Sequence, residues 1–218
     1  MASFFKKMSE RSQLKKFLKK YRIPGKYQKY MALGAAFISI NDCTENVLAL
    51  RLDQEKITGM LETTWKITDR ESAINTIDQL IENCSRPITL DAENGAVKKL
   101  LDQCEHYYIK QDAILSCTNS AGLNLETAAF LARNCFHAGY LSDEQTWEYL
   151  IKKIPPVAVS LFDNWTEYGA SVLVGHTVVH GREPKSIAYA ISRLLNNSRF
   201  NSIWRKCPLN KLSTVNPG

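Results

Sequence analysis

Between Leu131 and Gly175 the chain carries the punctuation of successive helices. Gly139 stands just after a run with helical spacing, where a left-handed cap belongs. Ser142 and Gln145 have the spacing of a capping box, ahead of Trp147, Leu150 and Ile151. Pro155-Pro156 marks the first turn of a further helix, whose apolar and aromatic residues continue toward Gly175. Strictly alternating, strand-like segments are nearly absent from the sequence. The expected fold class is therefore all-α, a single globular multi-helix domain.

The same reading extends in both directions. Leu14, Phe17, Leu18 and Tyr21 recur at helical spacing before Pro24-Gly25. Tyr27 to Ile40 reads as one apolar helix, with Ala32, Gly34, Ala35 and Ala36 leaving room for a close neighbour. Thr68 and Glu71 read as a capping box ahead of Ile74 and Ile77. Val97, Leu100, Leu101, Cys104, Tyr107 and Tyr108 are expected on one face of a helix that starts near Asp91. Asn124 to His137 is expected to be helical, and Pro184 to lie in the first turn of the helix after it. The organisation expected is a basic amphipathic N-terminal helix over residues 1–25, a helical domain over 26–207 and a C-terminal tail over 208–218. Trp65, Trp147, Trp165, Tyr168, Gly139 and Tyr140 are expected to build the structural core, together with Trp204.

Charge is concentrated at one end. The net charge is +6, yet residues 1–30 hold ten basic residues and one acid, Glu10. The rest of the chain is slightly acidic. Three readings of the basic segment stay open: a solvated arm, contact with an acidic partner protein, and binding to a membrane surface or nucleic acid. Lys15, Lys16, Lys19 and Lys20 are its candidate contact residues, and nucleic acid is the least expected partner. The longest apolar run, Met31 to Ile40, is too short to span a bilayer and ends at Asn41-Asp42. Without a signal-peptide pattern at Met1 to Lys7, a cytoplasmic location is expected. The six cysteines are nowhere closer than 13 residues, so none forms a C-x-x-C pair. They are expected to be small apolar core residues in a reducing compartment.

Several elements in order resemble the bacterial Domain of Unknown Function 1266 family: Ala32-Leu33-Gly34, Trp65-x-Ile67 with Arg70, Ala138-Gly139-Tyr140, and Trp165-x-x-Tyr168-Gly169. The resemblance runs over about residues 27–207. It implies the helical fold and no settled activity. Relatives often carry an Asp-x-x-Arg element just before the Leu131-Ala-Arg133 helix; Asn124 and Thr127 stand at the corresponding positions. If that pair does chemistry in relatives, this chain lacks it, which weighs against an enzyme; if it is a structural ion pair, its loss is a tolerable repacking.

The residues offer little else for chemistry. His176 and His180, four apart, would face one side of a continuous helix and are the best metal candidate. Thr177 stands where an H-E-x-x-H site has its glutamate, so no metal and no cofactor is expected. No nucleophile elbow, P-loop or dinucleotide glycine pattern occurs, so no catalytic residue is assigned. Two classes of function remain. The first is a non-catalytic cytoplasmic binding protein, in its sharpest form an immunity protein covering the active site of a cognate antibacterial toxin of the Rhs or type VI secretion kind. Glu126 and Glu167 join the lysines as candidate contacts there. The second is an enzyme or small-ligand protein using Glu126, Arg133, His137, Asp163, Glu167, His176 and His180.

Overall fold

The computed structural model describes residues 12–41, 44–85, 87–196 and 202–212. The expected helix start at Met1 to Arg11, Cys43, and residues 213–218 of the expected tail lie outside them. The helices are α1 (12–20), α2 (Gly25–Gln28), α3 (Ala35–Asn41), α4 (Gln54–Trp65), α5 (Arg70–Glu82), α6 (Gly95–His106) and α7 (Gln111–Leu115). They continue as α8 (Ala121–Ala138), α9 (Asp143–Trp147), α10 (Ile154–Leu161), α11 (Trp165–Val174), α12 (Lys185–Asn196) and α13 (Ile203–Lys206). Among the described residues there is no strand; a lone antiparallel bridge joins Pro87 to Asn119. The all-α expectation holds. No helix among the described residues is long and apolar enough to cross a membrane.

Helix α8 is the axis of the fold, with α3, α4, α5, α10 and α11 packed around it. It can be enclosed because small residues line it: Ala121, Gly122, Ala128, Ala129, Ala132 and Cys135 are all buried. At Gly122 the approach is closest. A Cβ there would stand 2.7 Å from the Tyr168 carbonyl oxygen, so α11 could not pack at this distance against any other residue. Gly139 ends the helix at φ 83, the left-handed cap its position indicated.

Local chemistry accounts for the other boundaries. Ser142 and Gln145 form a complete capping box. The box before α5 is one residue later than expected: Asp69 accepts from the Ser72 amide, and the Ser72 hydroxyl accepts from the Asp69 amide. From Glu148 to Lys153 the chain widens into a π-helix joining α9 to α10. Pro155 and Pro156 lack the N–H groups that an α-helix would direct to the preceding turn, and the wider turn accommodates their rings. The expected helix from Tyr27 to Ile40 is broken. A 3-10 turn over Lys29–Ala32 leads to Gly34 at φ +78, from which α3 starts afresh.

The aromatic core is narrower than expected. Trp165 and Trp204 stack face to face at 4.8 Å, and the fully buried Tyr168 meets both rings edge-on. The indole N–H groups of Trp165 and Trp204 donate to the carbonyls of Cys207 and Ala32 at 2.6 and 2.8 Å. The first bond fastens the C-terminal segment to α11, and the second fastens the 3-10 turn to α13. Trp65, Trp147 and Tyr140 lie only half-buried against this core, and Gly139 is exposed. Trp65 and Tyr140 sit at helix ends, where one side faces solvent, and Trp147 lies where α9 runs into the π-helix. Residues 208–212 are no tail: Leu209 and Leu212 are buried in the core.

Candidate functional site

Glu126 is 0 % exposed, and every recorded neighbour of its carboxylate is a donor. The amides of Gly34, Ala36 and Phe37 donate at 3.0, 2.7 and 3.1 Å, and the Tyr168 hydroxyl at 2.8 Å. Three of the four donors are backbone groups at the start of α3, so the carboxylate of α8 serves as that helix's N-terminal cap. Burial pushes the carboxyl pKa up, while the Tyr168 hydroxyl and the three amides oppose the shift.

Arg133 stands seven residues further along α8, on the same face about 10 Å away. It too is 0 % exposed. Its guanidinium donates to the Thr44 carbonyl at 2.9 Å and to the Val47 carbonyl. The seven residues of α3 span about the same length as the gap between the two charges. Acid and base therefore bracket one segment. The carboxylate binds the amides that open α3, and the guanidinium binds carbonyls just beyond its end. The carboxylate meets amides at the N-terminal pole of α3, and the guanidinium meets carbonyls of the turn that follows the helix.

Glu126 was an expected partner contact, and the structure corrects this: enclosed beneath α3, it touches no surface. Arg133, a candidate for chemistry, is likewise internal. Glu167 is exposed but engaged locally, accepting from the Asp163 amide at 2.9 Å and the Asn164 side chain at 2.8 Å. With Asn164 it caps α11. His137 is half-buried near the end of α8, far along that helix from Glu126. The positions of the missing polar pair are also filled structurally. Asn124 donates to the Asn83 carbonyl at 3.1 Å, and Thr127 to the Leu123 carbonyl at 2.7 Å.

The continuous helix assumed for His176 and His180 is absent. Residues Gly175–Val179 form a π-helix, and His180 is its exposed C-terminal cap. The wider turn removes the one-above-the-other alignment that four-residue spacing gives on an α-helix. Burial, and then the positive charges of Arg182 and His180, lower the His176 pKa to about 4. Among the described residues no group of three His, Cys, Asp or Glu side chains gathers as a metal site. Burial also pushes Cys84 to about 11 and Cys104 and Cys135 to about 12, so these thiols stay protonated and unreactive.

Two surface features escaped the sequence reading. A cleft of about 620 Å³ opens between α7 and the α10–α11 junction, with Lys110, Cys117, Asn119 and Phe162 in its walls. The second is aromatic. Tyr108, expected on the buried face of α6, is 86 % exposed and takes φ 56. Its backbone closes α6 in a left-handed turn, with Ile109 N–H donating to the Cys104 carbonyl at 2.8 Å. A glycine usually occupies that place. Beside it lie Tyr107 and Tyr189, with ring centroids 5.8 Å apart, and Arg193 over the Tyr189 ring. A shallow depression of about 160 Å³ extends the patch from Tyr189 and Arg193 to Ile40, itself 40 % exposed. Only the tyrosine pair at 107–108 hinted at it, and helical spacing assigned both rings inward.

Residues 60–209 match the model of a family described as a protein of unknown function (DUF1266). The match begins after the Ala32-Leu33-Gly34 element. No curated protein and no solved structure matches the chain.

Proposed function

The chain belongs to the DUF1266 family, and from that premise we propose that it acts by binding a protein partner rather than by catalysis. Within that class our reading is an immunity protein of the cytosol, which covers the active site of a cognate toxin domain. One observation carries the non-catalytic part. Glu126 and Arg133, the buried charges best suited to chemistry, are occupied in holding α3. Engaging a substrate would require dismantling that packing.

The contact face we propose is the patch of Tyr108, Tyr189, Arg193 and Ile40. Tyrosine and arginine are the side chains that most often anchor protein interfaces. A non-glycine residue in the left-handed region costs about 1 kcal/mol, and at Tyr108 the ring gains no burial in return. A partner covering the ring would supply what the isolated chain lacks. The test is co-expression with the product of the adjacent gene, co-purification, and titration of the toxin's activity. The expected result is a stoichiometric complex with protection complete at one molecule per toxin. The double variant Tyr108→Ala, Tyr189→Ala should weaken binding at least about tenfold while leaving the fold intact. Protection well below one molecule per toxin would overturn this reading and point to an enzyme that reverses the damage.

A small-ligand reading has the 620 Å³ cleft in its favour. Ligand-induced shifts confined to Cys117, Asn119 and Phe162 in a metabolite screen would support it.

A further inference from the structure

Helix α1 has two chemically opposed sides. At 3.6 residues per turn, Leu14, Phe17, Leu18 and Tyr21 occupy one side, and Lys15, Lys16, Lys19 and Lys20 the other, their centres about half a turn apart. The helical bonding continues to Tyr21, whose amide donates to the Phe17 carbonyl at 3.0 Å. All four lysines are exposed, as are Arg22 and Lys26 just beyond. Residues 12–30 hold seven cations and no acid. None of the ion pairs among the described residues, Lys56–Asp53, Lys98–Glu93, Lys99–Glu183 and Lys153–Asp78, involves Lys15, Lys16, Lys19 or Lys20. The core reaches Ile23 and Tyr27; Leu14, Phe17 and Leu18 are half-buried and are not among the described side chains packed against that core.

We propose that α1 is a peripheral membrane-binding helix that lies on an anionic lipid surface, its lysines among the headgroups and Leu14, Phe17 and Leu18 in the acyl boundary. Charge complementarity fixes the sign of the partner. Composition then chooses among anionic partners. Six of the seven cations are lysines, and Lys is depleted from protein interfaces, whereas Arg is enriched there and in nucleic-acid contacts. Lysine is a point charge on a flexible stem, suited to diffuse and mobile lipid charge. Basic residues opposite an apolar face that includes aromatic rings are the pattern of helices lying in the bilayer interface. A nucleic acid gives the apolar side no place to go, and the scarcity of arginine disfavours a protein groove. The inference is independent of the partner proposed above, which uses α12 and the turn at Tyr108.

The experiment is co-sedimentation of the full chain with large vesicles of phosphatidylcholine alone, or with three parts in ten replaced by phosphatidylserine. Binding is expected only to the anionic vesicles, and should weaken as salt is raised. Each lysine near such a surface contributes about a fivefold factor in affinity, so Lys15→Ala, Lys16→Ala, Lys19→Ala, Lys20→Ala combined should lose at least about a hundredfold. Phe17→Ser with Leu18→Ser, which leaves the charge unchanged, should also lose about tenfold or more. Both variants should keep the parent's circular dichroism. No binding to anionic vesicles, or equal binding to neutral ones, would overturn the proposal. So would full binding by the Phe17→Ser, Leu18→Ser variant together with equal capture on polyglutamate, which would assign the lysines to an acidic protein instead.

Discussion

Two charged regions of the molecule contrast at every level. Around α8 the charges are few, enclosed and turned onto backbone groups: Glu126 onto the amides opening α3, Arg133 onto the carbonyls after it. On α1 the charges are many, exposed and unconstrained by ion pairs among the described residues. The lesson concerns where to look for function. A buried charge invites a catalytic reading, because unpaired burial is unfavourable and active sites exploit it. Here backbone groups of matching sign partly offset the burial, so the interior charges explain architecture. Side chains without an architectural task are outside, at α1 and at Tyr108.

The comparison breaks first, if it breaks, at Glu126. Glu126→Ala leaves three buried amides and a tyrosine hydroxyl without an acceptor, and should destabilise the fold by about 3–5 kcal/mol, read as the shift in a urea midpoint. Arg133→Leu should follow at about 3 kcal/mol. Loss below 1 kcal/mol in either would mean that the interior charges are not structural. Next come the tryptophans. Trp165→Ala removes a stacked, hydrogen-bonded ring and should lose about 3–5 kcal/mol, whereas the half-buried Trp147 should lose about half as much. Equal losses would show that exposure misjudges the core. Gly122→Ala, which forces α8 from α11, should lose about 1–3 kcal/mol.

Two titrations sharpen the contrast further because they have opposite signs. His176 is lowered in the fold to about 4, so the unfolded chain binds the extra proton between about 4 and 6.5. Its contribution is present above 6.5 and is lost as pH falls toward 4. His176→Gln should flatten that decline in thermal midpoint against pH. The Glu126 carboxyl is raised above its ordinary 4.5, so the fold retains a proton that the unfolded chain releases. Its contribution is greatest below 4.5 and declines as pH rises through the raised value. The smallest effect belongs to α1. Replacing Lys15, Lys16, Lys19 and Lys20 by alanine should leave stability within about 0.5 kcal/mol, whatever happens to its binding.

What the sequence reveals divides along the same line. Gly139 and the Ser142 box act through neighbours a few residues away, so local pattern reads them correctly; the helix expected to run from Pro155-Pro156 toward Gly175 instead ends at Leu161, and Asn164 caps a new one. The Glu126 and Arg133 contacts reach back some 90 residues to backbone groups. Backbone partners leave no residue signature, so no spacing could identify either cap. The same blindness hid the break at Gly34, which looks like one more small residue in an apolar helix. Its φ of +78 and the approach of Ala129 and Phe130, each at 3.1 Å from where a Cβ would stand, show why glycine is there. Tyr108 misled for the reverse reason: its spacing is helical, but the helix ends before it.

The central claim is that Glu126 holds α3 in place, and amide hydrogen exchange tests it most directly. In Glu126→Gln an amide nitrogen replaces one acceptor oxygen and faces donors. The amides of Gly34, Ala36 and Phe37 should then lose protection by about a hundredfold or more, while those of α8 and α11 keep theirs. Unchanged protection at all three amides would contradict the account and return Glu126 to the list of residues free to do chemistry.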